Sequence, residues 1–367
     1  MIRVGVIGLG SVWQGPYRTE IDSLCRAGRA QITAIYDPNE DKRQQAGLLY
    51  DIDPNLASAE AVIGREDVDL VLILASMQVH GELALASLKA GHHVLVEKPI
   101  ATDLATAAEL LELAEISPGH LLPAPHVVLS PTFRAIHSEI AAGSIGTPLS
   151  ARARYGWAGP WWGEWFYRPG GGSLFDLGVY NVITLCALLG SAKRVTAMVG
   201  TAIPERIVDG KPIKVEADDN AHVLLDFGES RYAVITTGFT MQKYRSPAVE
   251  IYGSEGTIQM LGDDWAPDGF ELWQNNTGAW AIHPESNPSW RWTAGLTHLV
   301  EAIESDRLPL IRPEHGYHAL EIMLAAQSAG RDGKAREITS AFTAVDFSEW
   351  PSAVPDRRAR HDSGTTT

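Results

Sequence analysis

Four short and almost wholly apolar stretches, Ile2–Ile7, Gln31–Tyr36, Leu70–Ala75 and His93–Val96, recur through the first part of the chain. Helix-like segments at Glu40–Tyr50, Ala57–Gly64, Gly81–Ala90 and Leu104–Glu115 alternate with them, the last behind the capping residue Asp103. A strand that is apolar on both faces must be covered on both faces, and alternating crossover helices provide that cover on a parallel sheet. The alternation therefore predicts a doubly wound α/β domain over residues 1–123, closing with a short strand at Leu121–Leu122. A chain of 367 residues exceeds the usual size of one core, so a second domain is expected over 124–351. The charged, Ser/Thr-rich stretch 352–367 reads as a disordered tail.

Three features of the first domain carry chemistry. In an open α/β sheet, ligands bind beyond the carboxyl ends of the strands. Val94–Val96 ends abruptly in Glu97-Lys98-Pro99, which places the Lys98 ammonium at such an edge; the alternative is a surface Glu-Lys pair. Ile2–Ile7 breaks into Gly8-Leu9-Gly10 followed by Ser11, Val12 and Trp13. A strand, a Gly-x-Gly turn and a helix start supply a tight turn, a bare backbone and an anion-binding helix end for a dinucleotide pyrophosphate. Trp13 stands where a small residue is usual. Asp37 follows the second strand, where a carboxylate can accept bonds from both adenosine ribose hydroxyls and repel a 2′-phosphate, which predicts NAD over NADP. Arg43 is the nearby cation that could swing toward such a phosphate.

Charge and cysteine usage narrow the function classes. A formal net charge of −15 argues against nucleic acid, which is bound largely through Lys and Arg on phosphates. The two cysteines, Cys25 and Cys186, lie far apart with no metal-type spacing, so no disulfide framework and no metal site are expected. The chain opens directly into a strand, and no apolar run reaches membrane-spanning length, so a cytoplasmic enzyme is the expectation.

In the second domain a helix is predicted over Pro131–Ala142 and a strand over Pro148–Tyr155. Between them and Gly170-Gly171-Gly172 lie Trp157, Trp161, Trp162, Trp165, Phe166 and Tyr167 without regular periodicity. Such a cluster is either core or a set of flat platforms for sugar rings, whose C–H faces stack on aromatics. The glycines open an apolar helix running to about Leu189, on which Asp176 and Tyr180 are four apart and share a face. A first-turn charge and a core aromatic are their plainer roles. Strands at Arg194–Thr201, Ala221–Phe227, Arg231–Phe239, Ala248–Tyr252 and Thr257–Leu261 predict a large, mostly antiparallel open sheet, followed by helices Ala294–Ser305 and Glu314–Gly330. His126, after the last crossover strand, is a candidate substrate contact, assigned together with Trp162, Trp165 and Arg168.

Gly8-Leu9-Gly10, Asp37, Ser76 through His80 and Glu97-Lys98-Pro99, in this order, resemble the glucose-fructose oxidoreductase / inositol dehydrogenase / MocA (Gfo/Idh/MocA) family over nearly the whole chain. The resemblance implies a Rossmann domain, a catalytic Lys98 often followed by a cis proline, and Ser76, His80 and Glu97 bordering an NAD cofactor. It also implies a carbohydrate-like substrate and a homo-dimer or homo-tetramer formed through the far face of the C-terminal sheet. Gly170–Tyr180 is similar to the family's Gly-Gly-Gly…Asp-x-Gly-x-His motif but carries Tyr180 for His and Ile183 for a second Asp, as in the branches outside the inositol dehydrogenases. The expected activity is hydride transfer between a nicotinamide and a secondary hydroxyl or keto group of a sugar or related polyol. Tyr180 is expected to move the proton, with its pKa lowered by the Lys98 ammonium and with Asp176 orienting the hydroxyl. Two rival readings are a cofactor-retaining enzyme that oxidises a sugar transiently to eliminate a substituent, and a ligand-sensing module without turnover.

Overall fold

The structure is a computed structural model that describes residues 1–284, 287 and 289–350. The stretch 352–367, expected to be disordered, lies outside the described residues.

Strands β1 (Ile2–Ile7), β2 (Ala30–Tyr36), β3 (Leu70–Ile73), β4 (His93–Val96) and β5 (Leu121–Pro123) form a parallel sheet in the order β2-β1-β3-β4-β5. The order reverses beside β1, so the ends of β1 and β3 open the crevice typical of this topology. The inner strands are as buried as their composition requires: β3 is covered at every residue and β4 at all but His93. Helices α1 (Arg18–Arg26), α2 (Glu40–Tyr50), α3 (Ala59–Ile63), α4 (His80–Lys89) and α5 (Leu104–Ile116) flank the sheet. Asn39, Ser58 and Asp103 accept from N3 amides at the starts of α2, α3 and α5, which satisfies donors the helices themselves leave open.

Helix α6 (Pro131–Ala141) leads to β6 (Pro148–Gly156), and α7 (Val179–Leu189) to β7 (Arg194–Gly200). A hairpin of β8 (Glu205–Val208) and β9 (Lys211–Lys214) stands apart from the main sheet. Then follow β10 (Asn220–Asp226), β11 (Tyr232–Gly238), β12 (Val249–Gly253), β13 (Gly256–Asp263), β14 (Ala266–Gln274) and β15 (Ala279–His283). Helices α8 (Gly295–Glu304) and α9 (Pro313–Asp332) and a short β16 (Arg336–Glu337) complete the described fold. The nine-stranded sheet has the order β15-β14-β13-β12-β6-β11-β10-β7-β16 and is antiparallel except at β6 and β11. The five C-terminal strands expected after α7 are all present. The hairpin and the pair β14–β15 were not foreseen, because Pro212, Pro267 and Gly269 interrupt the alternation that would announce them.

One face of this sheet is covered by α7, whose turns are buried all round, and by α9. The other face leaves Met198, Leu224, Tyr232 and Val234 exposed. Helix α9 packs against both halves: a Cβ at Gly316 would lie 3.1 Å from Pro123, and one at Gly330 would lie 2.9 Å from the Val199 nitrogen. No helix among the described residues is long and apolar enough to cross a membrane.

Candidate active site

The glycine turn is shaped from beneath. Gly8 adopts a φ of +99°, and a Cβ there would lie 2.5 Å from the Leu74 main chain, so no other residue lets β1 turn so close to the end of β3. At Gly10 the opposite holds, since a Cβ would meet nothing within 4 Å and the turn faces open space. Helical geometry begins at Ser11, so the first-turn amides point into that space without intrahelical acceptors. Over Trp13–Tyr17 the helix widens to a π turn, in which the Arg18 N–H reaches back to the Trp13 carbonyl; Pro16, having no N–H, cannot make an α-helical bond there. The Trp13 indole is buried against Tyr50, so this position contributes backbone to the cradle and its ring to the core.

Asp37 stands at the end of β2 as expected. Its Oδ2 accepts from the Leu9 amide at 2.7 Å and its Oδ1 from the Asn39 amide at 2.9 Å, with Lys42 Nζ at 3.9 Å. Those bonds lock the turn and still leave lone pairs on each oxygen for a ribose diol. Arg43 is tied to the carbonyls of Asp37 and Pro54 at 2.8 and 3.2 Å, which restrains the swing considered for it. An open glycine cradle, a helix start and a carboxylate beside them fit the pyrophosphate and adenosine ribose of a dinucleotide.

At the ends of β3 and β4 the expected residues divide into two sets. Ser76 is half-buried at the crevice. His80 is not available to a cofactor: it is buried, with Nδ1 2.9 Å from the Pro99 carbonyl and Nε2 3.0 Å from the Ala75 carbonyl, and burial lowers its pKa. It ties the Pro99 loop to the end of β3. Glu97 is a second brace, accepting from the Tyr17 hydroxyl at 2.9 Å and the Lys98 amide at 3.1 Å, and burial raises its pKa. The Lys98–Pro99 peptide is cis, as the resemblance implied. The Lys98 side chain crosses to the second domain, where Nζ donates to Asp176 Oδ1 at 2.5 Å and to the Asp176 carbonyl at 2.8 Å. Both side chains keep 13% exposure, enough for a small molecule to reach them.

Asp176 lies in a second π turn, Leu174–Gly178, that opens α7. Its position depends on Asp218, which sequence reading overlooked: Asp218 Oδ2 accepts from the Ser173 hydroxyl and the Leu174 amide, both at 2.8 Å, and Oδ1 from Gln327 at 3.2 Å. Gly172, with a φ of +108°, admits that carboxylate where a Cβ would come within 2.4 Å of Oδ1. Asp264 was overlooked too. It grips α7 by accepting from Asn181 at 2.7 Å and Thr184 at 2.6 Å, and burial pushes its pKa up to about 6.

Tyr180 shares the site, in surroundings that do not favour the activation expected of it. Lys98 Nζ lies over its ring face, 5.5 Å from the centroid, and Tyr155 meets that ring edge-on at 5.5 Å. Burial, and after it the Glu97 charge, drive the phenol pKa well above its ordinary value, so a tyrosinate is disfavoured.

The aromatic segment packs as a cluster and also borders the site. Trp165 stacks on Phe166 at 3.7 Å, and Trp162 meets Trp157 at 5.8 Å. Trp162 and Trp165 remain half-buried rather than core, and Gln78 of the first domain donates to the Trp165 carbonyl at 3.3 Å. Arg168 does not point to a ligand: it is paired with Glu164 and, at 3.4 Å, with Glu216. His126 is fully buried, against Gly295, with Nδ1 3.3 Å from the Trp292 carbonyl and a pKa lowered to about 4 by burial. It is a core histidine, and the substrate contact expected of it is ruled out by its lack of exposure.

Comparison with known proteins agrees with this geometry. Residues 2–121 match the model of an oxidoreductase family with an NAD-binding Rossmann fold, and residues 133–259 match the GFO/IDH/MocA C-terminal domain. The protein is an oxidoreductase of the GFO/IDH/MocA family. It is 27% identical to the 1,5-anhydro-D-fructose reductase of Ensifer adhaerens over 92% of this chain and 99% of that protein. It is 25% identical to the myo-inositol 2-dehydrogenase of Thermotoga maritima over 70% of this chain and 74% of that protein. The fold is that of a levoglucosan dehydrogenase solved with NADH and levoglucosan, with a TM-score of 0.79 at 19% identity over 92% of this chain and all (100%) of the other.

Proposed function

We propose that the protein uses NAD(H) to interconvert a secondary hydroxyl and a ketone on a carbohydrate-like substrate, with Lys98 as the group that moves the proton. The observation that carries this reading is the Lys98–Asp176 pair at 2.5 Å, set where the crevice of the first domain meets the second. When bound, the nicotinamide supplies or accepts the hydride. An ammonium has three N–H donors; two of those on Lys98 are committed to Asp176, and the third is left for the substrate oxygen. In reduction Lys98 would protonate the developing alkoxide, and in oxidation the same proton transfer would run in reverse. Asp176 holds the ammonium in place, and Tyr180 walls the pocket through its ring. Trp162 and Trp165 offer faces for the substrate's C–H surface.

Asp37 supports a preference for NAD over NADP, since its free lone pairs suit a diol and its charge opposes a phosphate. The exposed apolar residues Met198, Leu224, Tyr232 and Val234 on the open sheet face support a homo-oligomer joined through that face. The test of the activity is an NADH-absorbance screen of free sugars, sugar acids, glycosides and inositols in both directions. Turnover that survives Lys98→Met would overturn the role given to the lysine, and the absence of any NAD-linked turnover would overturn the reaction.

A further inference from the structure

An aromatic row runs outward from the candidate site. Tyr180 meets Tyr155 at 5.5 Å. Trp157 lies just past the end of β6, two residues on from Tyr155, and its amide donates to the Gly238 carbonyl at 3.2 Å, which carries the extended chain one residue further; positions i and i+2 of an extended chain face the same side, about 7 Å apart. Trp157 meets Trp162 at 5.8 Å, and Trp162 meets Trp161 at 4.6 Å. Trp157 also meets Trp161 directly, at 6.4 Å, so the three indoles form a compact triangle beyond Tyr155. Trp161 is its outermost member, 68% exposed.

The main chain that carries this indole is held firmly. The Asp209 amide, at the tip of the β8–β9 hairpin, donates to the Trp161 carbonyl at 2.8 Å, and Asp209 Oδ2 accepts from the Gly163 amide at 3.2 Å. From the same hairpin Arg206 donates to the Ala158 carbonyl at 2.6 Å, to the Phe239 carbonyl at 2.8 Å and to Asp219 at 3.1 Å. The Tyr167 hydroxyl fixes the Pro160 carbonyl at 2.7 Å. A large ring that is open to water and carried on a fixed main chain is suited to stacking, because an indole has only two side-chain torsions to lose on binding. Trp157 and Trp162 are half-buried, so both indoles keep contact with solvent beside Trp161.

We infer that the substrate is a glycoside: the ring that reacts sits against Lys98 and Tyr180, and a glycosidically linked second ring lies on an outer subsite formed by Trp157, Trp162 and Trp161. Asp209 is a positioning residue for that subsite. This inference rests on the carbohydrate reading above, and its test separates the two.

Initial rates with NAD are measured for free hexoses, each paired with its phenyl glycoside and its disaccharides. The glycoside is expected to exceed the parent hexose in kcat/KM by at least about tenfold, chiefly through KM, as an added stacked ring requires. In Trp161→Ala the ratio of glycoside to hexose should fall by about tenfold, and in Trp161→Phe by less. Asp209→Ala should lower the same ratio and Asp209→Asn should restore it, because the amide oxygen can still accept from Gly163. Phenyl glycosides and disaccharides together identify a general ring subsite; disaccharides alone identify one that also needs hydroxyls. Turnover of hexoses with no preference for their glycosides, or a ratio unmoved in Trp161→Ala, overturns the outer subsite and leaves the reaction standing. No turnover of any sugar, with no thermal shift by any glycoside in the presence of NAD, overturns both.

Discussion

The crevice of the parallel sheet and the floor of the second domain use their polar residues in opposite ways. In the first, the main chain faces the ligand and the side chains brace it: Trp13 and His80 are buried, Glu97 ties Tyr17 to the Lys98 amide, and half of the Asp37 bonding capacity closes the glycine turn. In the second, side chains line the site, and buried carboxylates from distant loops hold them, Asp218 beneath the Asp176 turn and Asp264 behind α7. Lys98 is the exception, a first-domain side chain that works in the second domain's territory. Residues of the first kind preserve a shape, whereas those of the second preserve a reactivity, and substitutions should separate the two.

The largest separation is expected at Lys98. Lys98→Met should lower kcat by roughly 10³- to 10⁴-fold with NADH affinity little changed, as read by steady-state rates and NADH fluorescence titration, because positioned proton transfer is worth about that much. Equal loss of cofactor binding would place Lys98 among the shape-preserving residues instead.

A smaller effect should appear in pH stability. His126 is neutral in the fold with its pKa moved from 6.5 to about 4, so its contribution is present above pH 6.5 and is lost as pH falls toward about 4. Over that window it is worth on the order of 3 kcal/mol. Asp264, raised from 3.8 to about 6, has the opposite sign: its contribution is complete below 3.8 and is lost as pH rises through about 6. Denaturant melts of His126→Asn across this range should show a shallower acid loss than the parent protein, whatever the variant's absolute stability. An unchanged slope would remove His126 from the acid-sensitive core.

Asp37→Ala should narrow the NAD preference by about tenfold, the scale of one charge-assisted bond, and should also lower the melting temperature, since the Leu9 amide loses its acceptor. A change in preference with no change in melting would mean that the bracing bond is idle. The smallest effect is expected at Tyr180. Tyr180→Phe keeps the ring beneath Lys98 and should lower kcat by less than about tenfold, the worth of one hydrogen bond. A hundredfold loss would restore the phenol as the proton carrier.

The sequence made the first half readable because its signals are local. Apolar runs fix the strands, and Glu97-Lys98-Pro99 and Gly8-Leu9-Gly10 follow them directly. It also pointed to Asp176, which is next to Lys98 in space. What it could not convey was burial. His126, His80 and Arg168 are polar residues near the expected site in the chain, yet their surroundings, a glycine helix face, two carbonyls and two carboxylates, come from elsewhere. Asp218 and Asp264 stayed hidden for the converse reason, since each sits in an Asp-Asp pair that reads as a polar turn, and the partners on or before α7 lie 44 and 83 positions away. The two π turns had a signal that could have been read, Pro16 and Gly178 just inside helices that must start beside a ligand.

Helix α9 gives the molecule a unity that its two sheets conceal. Its N-terminal end rests on β5 and α5 and its C-terminal end on β7, while α8 reaches α1 and the turn after it, where Arg29 meets Glu304 at 2.6 Å. The last part of the chain thus completes what the first part began. A fragment stopped at Pro123 would have a finished sheet and an unfinished surface, so it should be made as an aggregate rather than as a free nucleotide-binding module. The two sheets thus share one covering layer, and cutting the chain between them leaves each without part of its cover.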